Sequence, residues 1–445
     1  MMATDSQKPA PGFLRAFLAQ YGMVVVLMAL MVAFSGLTLK DQTPTGTDAG
    51  HEVANEIIAG LGTTARVFIA APGAADDKAF AAAARERLET AGVTVLGSVS
   101  GTPAEARQQL EVLLASKVSI DAVAVTGASA GWRIFDKFPQ LSRDRFVVPQ
   151  SGKWPDFLKR SNLIGVANQT AIYAVIAIGM TMVIITGGID LSVGSLVALS
   201  SVGATVLIRD YAGGSTASAV TMTLACLAGI LLAAAAGVFN GLLVTTASLP
   251  PFIVTLAMML MARGLALRVS EFQSINAVPE TFRWLGGGSV AGIPNPISIM
   301  VILYAIAHVV MSRTVFGRVL YAIGGNAEAA RLSGIRVQQT KLLVYTISGA
   351  LAGLGGIMVS SKLNAGDPKY GDMYELEVIA AVVVGGTSLM GGEGRMLGTL
   401  IGAFIIAVIR NGMNLMSVES SNQKVVLGAV LLISVLVDRI KRARS

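Results

Sequence analysis

The run from Tyr173 to Ile208 sets the strongest limit on how this chain can fold. It is almost unbroken apolar sequence, and its only charge, Asp190, sits between a Gly-Gly pair and a serine. One bilayer crossing needs about 20 residues, so the run is too long for a single helix and too apolar for a soluble one. It reads as two crossings joined by a tight glycine-rich reversal at Thr186–Ser192. Backbone in such a reversal cannot face lipid; it is packed in protein or lines a wet cavity. That is the physical profile of a route through a membrane.

Composition widens this to the whole chain. Of 445 residues 53% are hydrophobic and 14% charged, with mean hydropathy +0.66, against about 25% charged in soluble domains. The net charge of +7 is spread over ends and loops and fits the positive-inside bias of membrane proteins. No basic stripe with interleaved aromatics is present, so no nucleic-acid partner is expected. Cys226 is the single cysteine and the two histidines, His51 and His308, lie far apart, so no metal site and no intrachain disulfide are expected. The N-terminal apolar segment lacks a small-residue cleavage pattern and is read as a retained helix.

Spans are predicted at about 17–38, 163–186, 191–208, 218–247, 251–268, 296–312, 341–361, 376–392, 395–416 and 424–438. The expected fold is an α-helical polytopic membrane protein of about ten transmembrane helices. Lys8 and Arg15, the central cluster Arg313, Arg318, Arg331, Arg336 and Lys341, and Lys441, Arg442 and Arg444 place both termini and the central loop in the cytoplasm. The stretch between the first two spans is then outside.

That stretch differs in kind. Residues 66–71, 93–99 and 120–127 read as strands, 76–92 and 102–117 as helices. Thr102 is the expected N-cap, with Pro103 at the first position and Glu105 completing a capping box. Alternating strands and helices imply a small parallel sheet. The expected organisation is 1–39, tail and first helix; 40–160, an inserted extracytoplasmic α/β domain; and 161–445, the membrane core with a loop at 313–341.

That loop is long, basic and polar. Asn326 is placed to cap a short helix from Ala327, which Gly334 would end. A connector needs only about 2–8 residues, so a loop with its own helix suits the docking of a cytoplasmic partner. The reversals at 186–199 and 384–403 both set Gly-Gly between apolar runs, a weak internal repeat of the kind that flanks binding sites or simply allows close helix packing.

These blocks together resemble the permease subunit of bacterial ABC sugar importers of the ribose/xylose/galactose group. Asn168–Gly194, Leu249–Gly264, Gly317–Ile335 and Ser348–Met416 carry the resemblance, which spans about 160–440. It implies two permease chains forming the pore, two ATPase subunits beneath, and a periplasmic binding protein delivering the sugar. It also implies that Gly325, Asn326, Ala327, Glu328, Ala330, Arg331, Gly334 and Ile335 form the ATPase-facing coupling helix. ATP and Mg would be used by the partner ATPase, with no cofactor on this chain. Permeases for branched-chain amino acids and nucleosides share the plan, so those solutes are the alternatives.

The chain contains no G-x-x-x-x-G-K-[ST] phosphate loop; Gly392–Gly398 has the wrong spacing. No nucleophile elbow, zinc helix or carboxylate pair beside a base supports an enzyme reading. A membrane-anchored ligand sensor is the rival from another class, with only a few residues after Asp438 to carry an output. A secondary transporter is disfavoured by the few charges in the spans. For the translocation pathway the candidates are Asn168, Gln169, Asp190, Ser192, Asn240, Phe252, Thr255 and Asn411, polar or aromatic groups inside apolar segments. Asp190 alternatively caps a helix starting at Leu191. The 40–160 insert resembles one lobe of a sugar-type periplasmic binding protein, with Asp76 and Trp132 as candidate contacts; with one lobe only, docking or regulation is favoured over independent sugar binding.

Overall fold

In hydrocarbon every peptide group needs a partner within its own segment, which makes the long apolar stretches helical. The structure, a computed structural model, describes residues 13–443; Lys8 and Arg444, used above for orientation, lie outside them. The chain divides into two units, one comprising the segments up to Thr38 and from Phe157 onward, the other Leu39–Asp156.

Helix α1 (Phe13–Leu37) opens the first unit. The second unit then runs β1 (Leu39–Gln42), α2 (Gly46–Leu61), β2 (Arg66–Ala71), α3 (Ala75–Thr90), β3 (Thr94–Ser100), α4 (Pro103–Ala115), β4 (Ala122–Val125), α5 (Gly127–Ala130), β5 (Phe146–Val147) and β6 (Gly152–Pro155). A parallel sheet of order β3-β2-β4-β5 carries its core, while β1 pairs antiparallel with β6. Thr102 and Glu105 form a reciprocal capping box at α4. The expected three strands are thus joined by a fourth, and α2, absent from the sequence reading, packs its Ala49, Val53, Ala54 and Ile57 into the core.

The first unit resumes with α6 (Arg160–Ile185), α7 (Val193–Tyr211), α8 (Ala219–Thr245), α9 (Pro251–Val269), the short α10 (Trp284–Gly287) and the β7–β8 hairpin (Ser289–Val290, Ile293–Pro294). It continues through α11 (Asn295–Arg313), α12 (Val315–Gly325), α13 (Ala327–Leu332), α14 (Val337–Leu363), α15 (Tyr374–Val384), α16 (Met396–Leu415) and α17 (Ser420–Ala443). Among the described residues seven helices, α6, α7, α8, α9, α11, α14 and α16, are long and apolar enough to cross a membrane. The most apolar window of α6 is 89% buried and that of α8 only 22%, so α6 forms the centre of the bundle and α8 its apolar rim.

Two boundaries differ from expectation for a physical reason. The span expected at 376–392 is helical only over Tyr374–Val384; Gly385–Arg395 is irregular backbone, with Gly386, Gly391 and Gly392 at φ +84°, +86° and +76°. The helix expected from Leu191 starts at Val193, because the side chain of Asp190 holds the preceding turn.

Candidate functional site

The knob at α13 is built locally. Asn326, extended, accepts through Oδ1 from the backbone N–H groups of Glu328 (3.1 Å) and Ala329 (2.9 Å), satisfying two open donors of the first turn. At the other end the Gly334 N–H donates to Arg331 O (3.0 Å) and the Ile335 N–H to Ala330 O (3.1 Å), a Schellman closure with Gly334 at φ +87°. Ala330 is buried, while Gly325, Glu328 and Arg331 are exposed. Arg331 grips Glu328 with Nε (3.0 Å) and Nη2 (2.5 Å). That hydrogen bonding holds the Glu328 carboxyl below its usual range and raises the Arg331 guanidinium. With side chains 64% and 63% exposed, the pair stabilises the helix little and presents both charges to water.

The stem of this knob enters the bundle with no spare room. A Cβ on Gly324 would collide with Ile185 O, at the end of α6, and with the backbone of Gly392, in the loop after α15. The Gly392 N–H donates to Ile185 O (2.9 Å), and the Tyr321 hydroxyl donates to Gly394 O (2.8 Å). One step deeper, the hydroxyls of Thr181 and Thr399 meet at 2.8 Å. Both glycine reversals and the knob therefore share one backbone-to-backbone junction. Rigid elements touching through main chain pass displacement on, because close-packed interiors do not absorb it.

Beyond the first reversal lies a dry polar cluster. Asp190 is wholly buried; its Oδ1 accepts from the Ser192 N–H (3.0 Å) and hydroxyl (2.6 Å), and its Oδ2 from the Ser348 hydroxyl of α14 (2.9 Å). Asn240 of α8 donates to Ser192 Oγ (3.0 Å). Thr255 of α9 donates to Ile189 O (3.1 Å). The cluster thus ties α14, α8 and α9 to the turn after α6.

The sequence candidates therefore separate. Asp190, Ser192, Asn240 and Thr255 come together; Asn168 and Gln169 lie on α6 well away from them, with Asn168 Oδ1 lacking a hydrogen-bond partner among the described residues. Phe252 is on the first turn of α9 and 53% exposed. Asn411 exchanges amide hydrogen bonds with Asn162 (2.8 and 3.0 Å). In the second unit Asp76 begins α3 after β2, and Trp132, after β4, stacks on Phe135 with ring centroids 6.2 Å apart. Sequence reasoning missed Ser348, Tyr321 and Gly324, and also the ion pair of Glu377 with Arg410. Arg410 is the lone charge of its apolar helix and was a readable signal.

Comparison with known proteins matches the membrane unit. Residues 162–435 match the family described as branched-chain amino acid transport system / permease component. The chain is 45% identical over 291 residues to the ribose import permease protein RbsC of Bacillus subtilis, covering 65% of this chain and 88% of that protein. It is 42% identical over 292 residues to RbsC of Escherichia coli K12, with the same coverage. To the L-arabinose ABC transporter permease protein AraH of Azospirillum brasilense it is 38% identical over 288 residues, covering 65% and 83%. No solved structure matches it significantly.

Proposed function

This chain belongs to the permease family of branched-chain amino acid transport systems, and from that premise we propose that it is the membrane subunit of an ATP-binding cassette importer for a monosaccharide of the ribose/xylose type. The relatives reported above are named for ribose and L-arabinose, which favours a pentose over a branched-chain amino acid or nucleoside. A separate ATPase subunit binds and hydrolyses ATP with its Mg, a binding protein delivers the solute, and a second permease chain completes the pore.

The observation that carries the coupling is the junction at Gly324. An ATPase that moves α13 moves the end of α6 and the loop 385–395 with it, since no Cβ-sized gap separates their backbones. In this reading the short apolar segment of α1 (Gly22–Leu37), the half-length α15 and α17 join the seven long helices to give ten crossings. The termini and α13 then face the cytoplasm, and Leu39–Asp156 is an extracytoplasmic unit that docks the binding protein or regulates it.

Reconstitution of the chain with its ATPase and binding protein tests the proposal. D-Ribose, D-xylose or L-arabinose is expected to stimulate ATP turnover and to accumulate in the vesicles. Stimulation by leucine or a nucleoside alone would overturn the solute class. Uphill uptake by this chain without an ATPase would overturn the importer class.

A further inference from the structure

Arg410 lies fourteen residues into α16, about 21 Å from the junction end and about 7.5 Å from the Leu415 end at 1.5 Å per residue, and its partner Glu377 is in the first turn of α15. Its Nη1 donates to both carboxylate oxygens of Glu377 (2.8 Å each) and to the Tyr173 hydroxyl (2.9 Å). Nε and Nη2 donate to nothing among the described residues. A guanidinium serving as a structural tie would use its planar fork on the carboxylate; here one nitrogen does all the bonding and the fork stays open.

The pair is also not dry. The Arg410 side chain is 34% exposed and that of Glu377 16%. Charge on a membrane-spanning helix is costly against lipid, which favours water over lipid at the exposed portions. Two cavities supply it: a cleft of about 40 Å³ bordered by Gln169, Tyr173, Asn411 and Asn414, and a neighbouring cavity of about 390 Å³ bordered by Asp372, Gln423 and Lys424. Glu377, Ile406 and Arg410 line both, so the ion pair is the partition between them. The larger falls within the usual size of small-molecule sites, whereas the cleft bordered by Gln169, Tyr173 and Asn411 has room for little more than a water, so a sugar reaching those three side chains requires the partition to part. Tyr173 lies against Tyr374, ring centroids 4.4 Å apart, adding a flat apolar wall beside the charges.

We infer that a sugar entering the larger cavity takes up the unused donors of Arg410 and the acceptors of Glu377, parting the pair so that the cavity joins the cleft and Tyr173, Gln169 and Asn411 complete a hydroxyl-recognising solute site. This rests on the importer reading above and assigns that reading its recognition site. A neutral polyol needs paired donors and acceptors beside an apolar face, and a carboxylate, a guanidinium, two amides and a tyrosine ring provide them. The half-open ion pair supplies that chemistry without fixed net charge, so the solute can also leave.

The test uses the complete complex in proteoliposomes. In a Cys226→Ser background, Gln169→Cys and Asn411→Cys are each treated with a membrane-impermeant thiol reagent. Labelling is expected at one or both sites, slowed severalfold by 50 mM D-ribose, D-xylose or L-arabinose. No labelling at either position, or labelling that no sugar slows, overturns the site. In parallel, Arg410→Lys and Glu377→Gln are expected to lower sugar moved per ATP about tenfold and to change the order of preference among the three sugars. Unaltered transport per ATP and preference overturn the site, as does lower yield or melting temperature as the sole effect, which would mark a structural tie. If the unmodified complex moves none of the sugars, the importer reading fails and the site with it; if it moves them and the variants match it, the site alone fails.

Discussion

Asp190 and Glu377 both lie within the apolar bundle, and their surroundings are opposite. Asp190 is wholly buried, with both oxygens engaged by serine hydroxyls and a backbone N–H. Glu377 faces cavities and shares a single nitrogen of Arg410. A buried cluster whose carboxylate is fully engaged holds one arrangement of helices, with Asn240 Oδ1 left without a partner among the described residues, because breaking it strands further donors in a medium that cannot replace them. A pair that borders cavities and leaves Arg410 Nε and Nη2 unused has donors to offer without first breaking a bond. The same division separates the buried junction at Gly324 from the exposed Glu328–Arg331 pair on α13. In the proposed reading, the polar groups sealed from water set shape, while Glu377–Arg410 meets the solute and Glu328–Arg331 the ATPase.

The sharpest way to break this division is at the junction. Gly324→Ala places a methyl group onto the main chain of Ile185 and Gly392, which forces backbone to shift at a cost of about 3 kcal/mol. Uptake is expected to vanish and the melting temperature to fall. Gly325→Ala has open space around its Cβ within this chain and is expected to leave the melting temperature unchanged. Equal behaviour of the two would show that the junction has slack.

Next in size is the exposed pair on α13. Glu328→Lys is expected to abolish ATP-coupled uptake while membrane insertion and melting temperature hold, since the residue is solvent-facing and the intrahelical pair contributes little stability. The swap Glu328→Arg with Arg331→Glu restores a pair within the helix. If uptake returns with the swap, the charges serve α13 itself; if it stays lost, they are read by a partner.

How far the sequence anticipated these features depended on range. Long apolar runs, the capping of α13 by Asn326 and the capping box at Thr102 are local signals and are found where expected. The helix α2 carries a clear apolar face in Ala49, Val53, Ala54 and Ile57 at helical spacing, a readable period that the sequence reading of this stretch left unused. Ser348 lies 158 residues from Asp190, and Gly324, Ile185 and Gly392 are equally scattered; no periodicity relates such positions, so only the fold brings them together. The 376–392 span was misjudged because apolar content continues through the glycines that end the helix. The pathway candidates were chosen one at a time as polar groups in apolar surroundings, a criterion that finds such groups but cannot say which share a wall.

The dry cluster yields an intermediate effect. Asp190→Ala leaves the Ser192 N–H and the hydroxyls of Ser192 and Ser348 without their acceptor, at a cost of about 2–3 kcal/mol. Asp190→Asn keeps an acceptor oxygen and is expected to lose less. Melting of the detergent-solubilised chain checks both. A larger loss of sugar preference than of stability in Asp190→Asn would move Asp190 into the water-facing class.

The smallest effect tests whether every solvent-facing polar pair belongs to that class. Thr102 and Glu105 are exposed and bond only to each other's backbone at the start of α4, so the pair's role is exhausted by capping. Thr102→Ala is expected to cost about 1 kcal/mol, visible as roughly fivefold faster amide exchange across the first turn of α4, with uptake unchanged. Exposure alone does not make the Glu328–Arg331 pair functional: that pair rides on a stem packed into the junction, whereas this one ends within its own helix. Loss of uptake in Thr102→Ala at normal amounts of protein would mean that the α4 turn itself contacts a partner, and the contrast between the two exposed pairs would then fail.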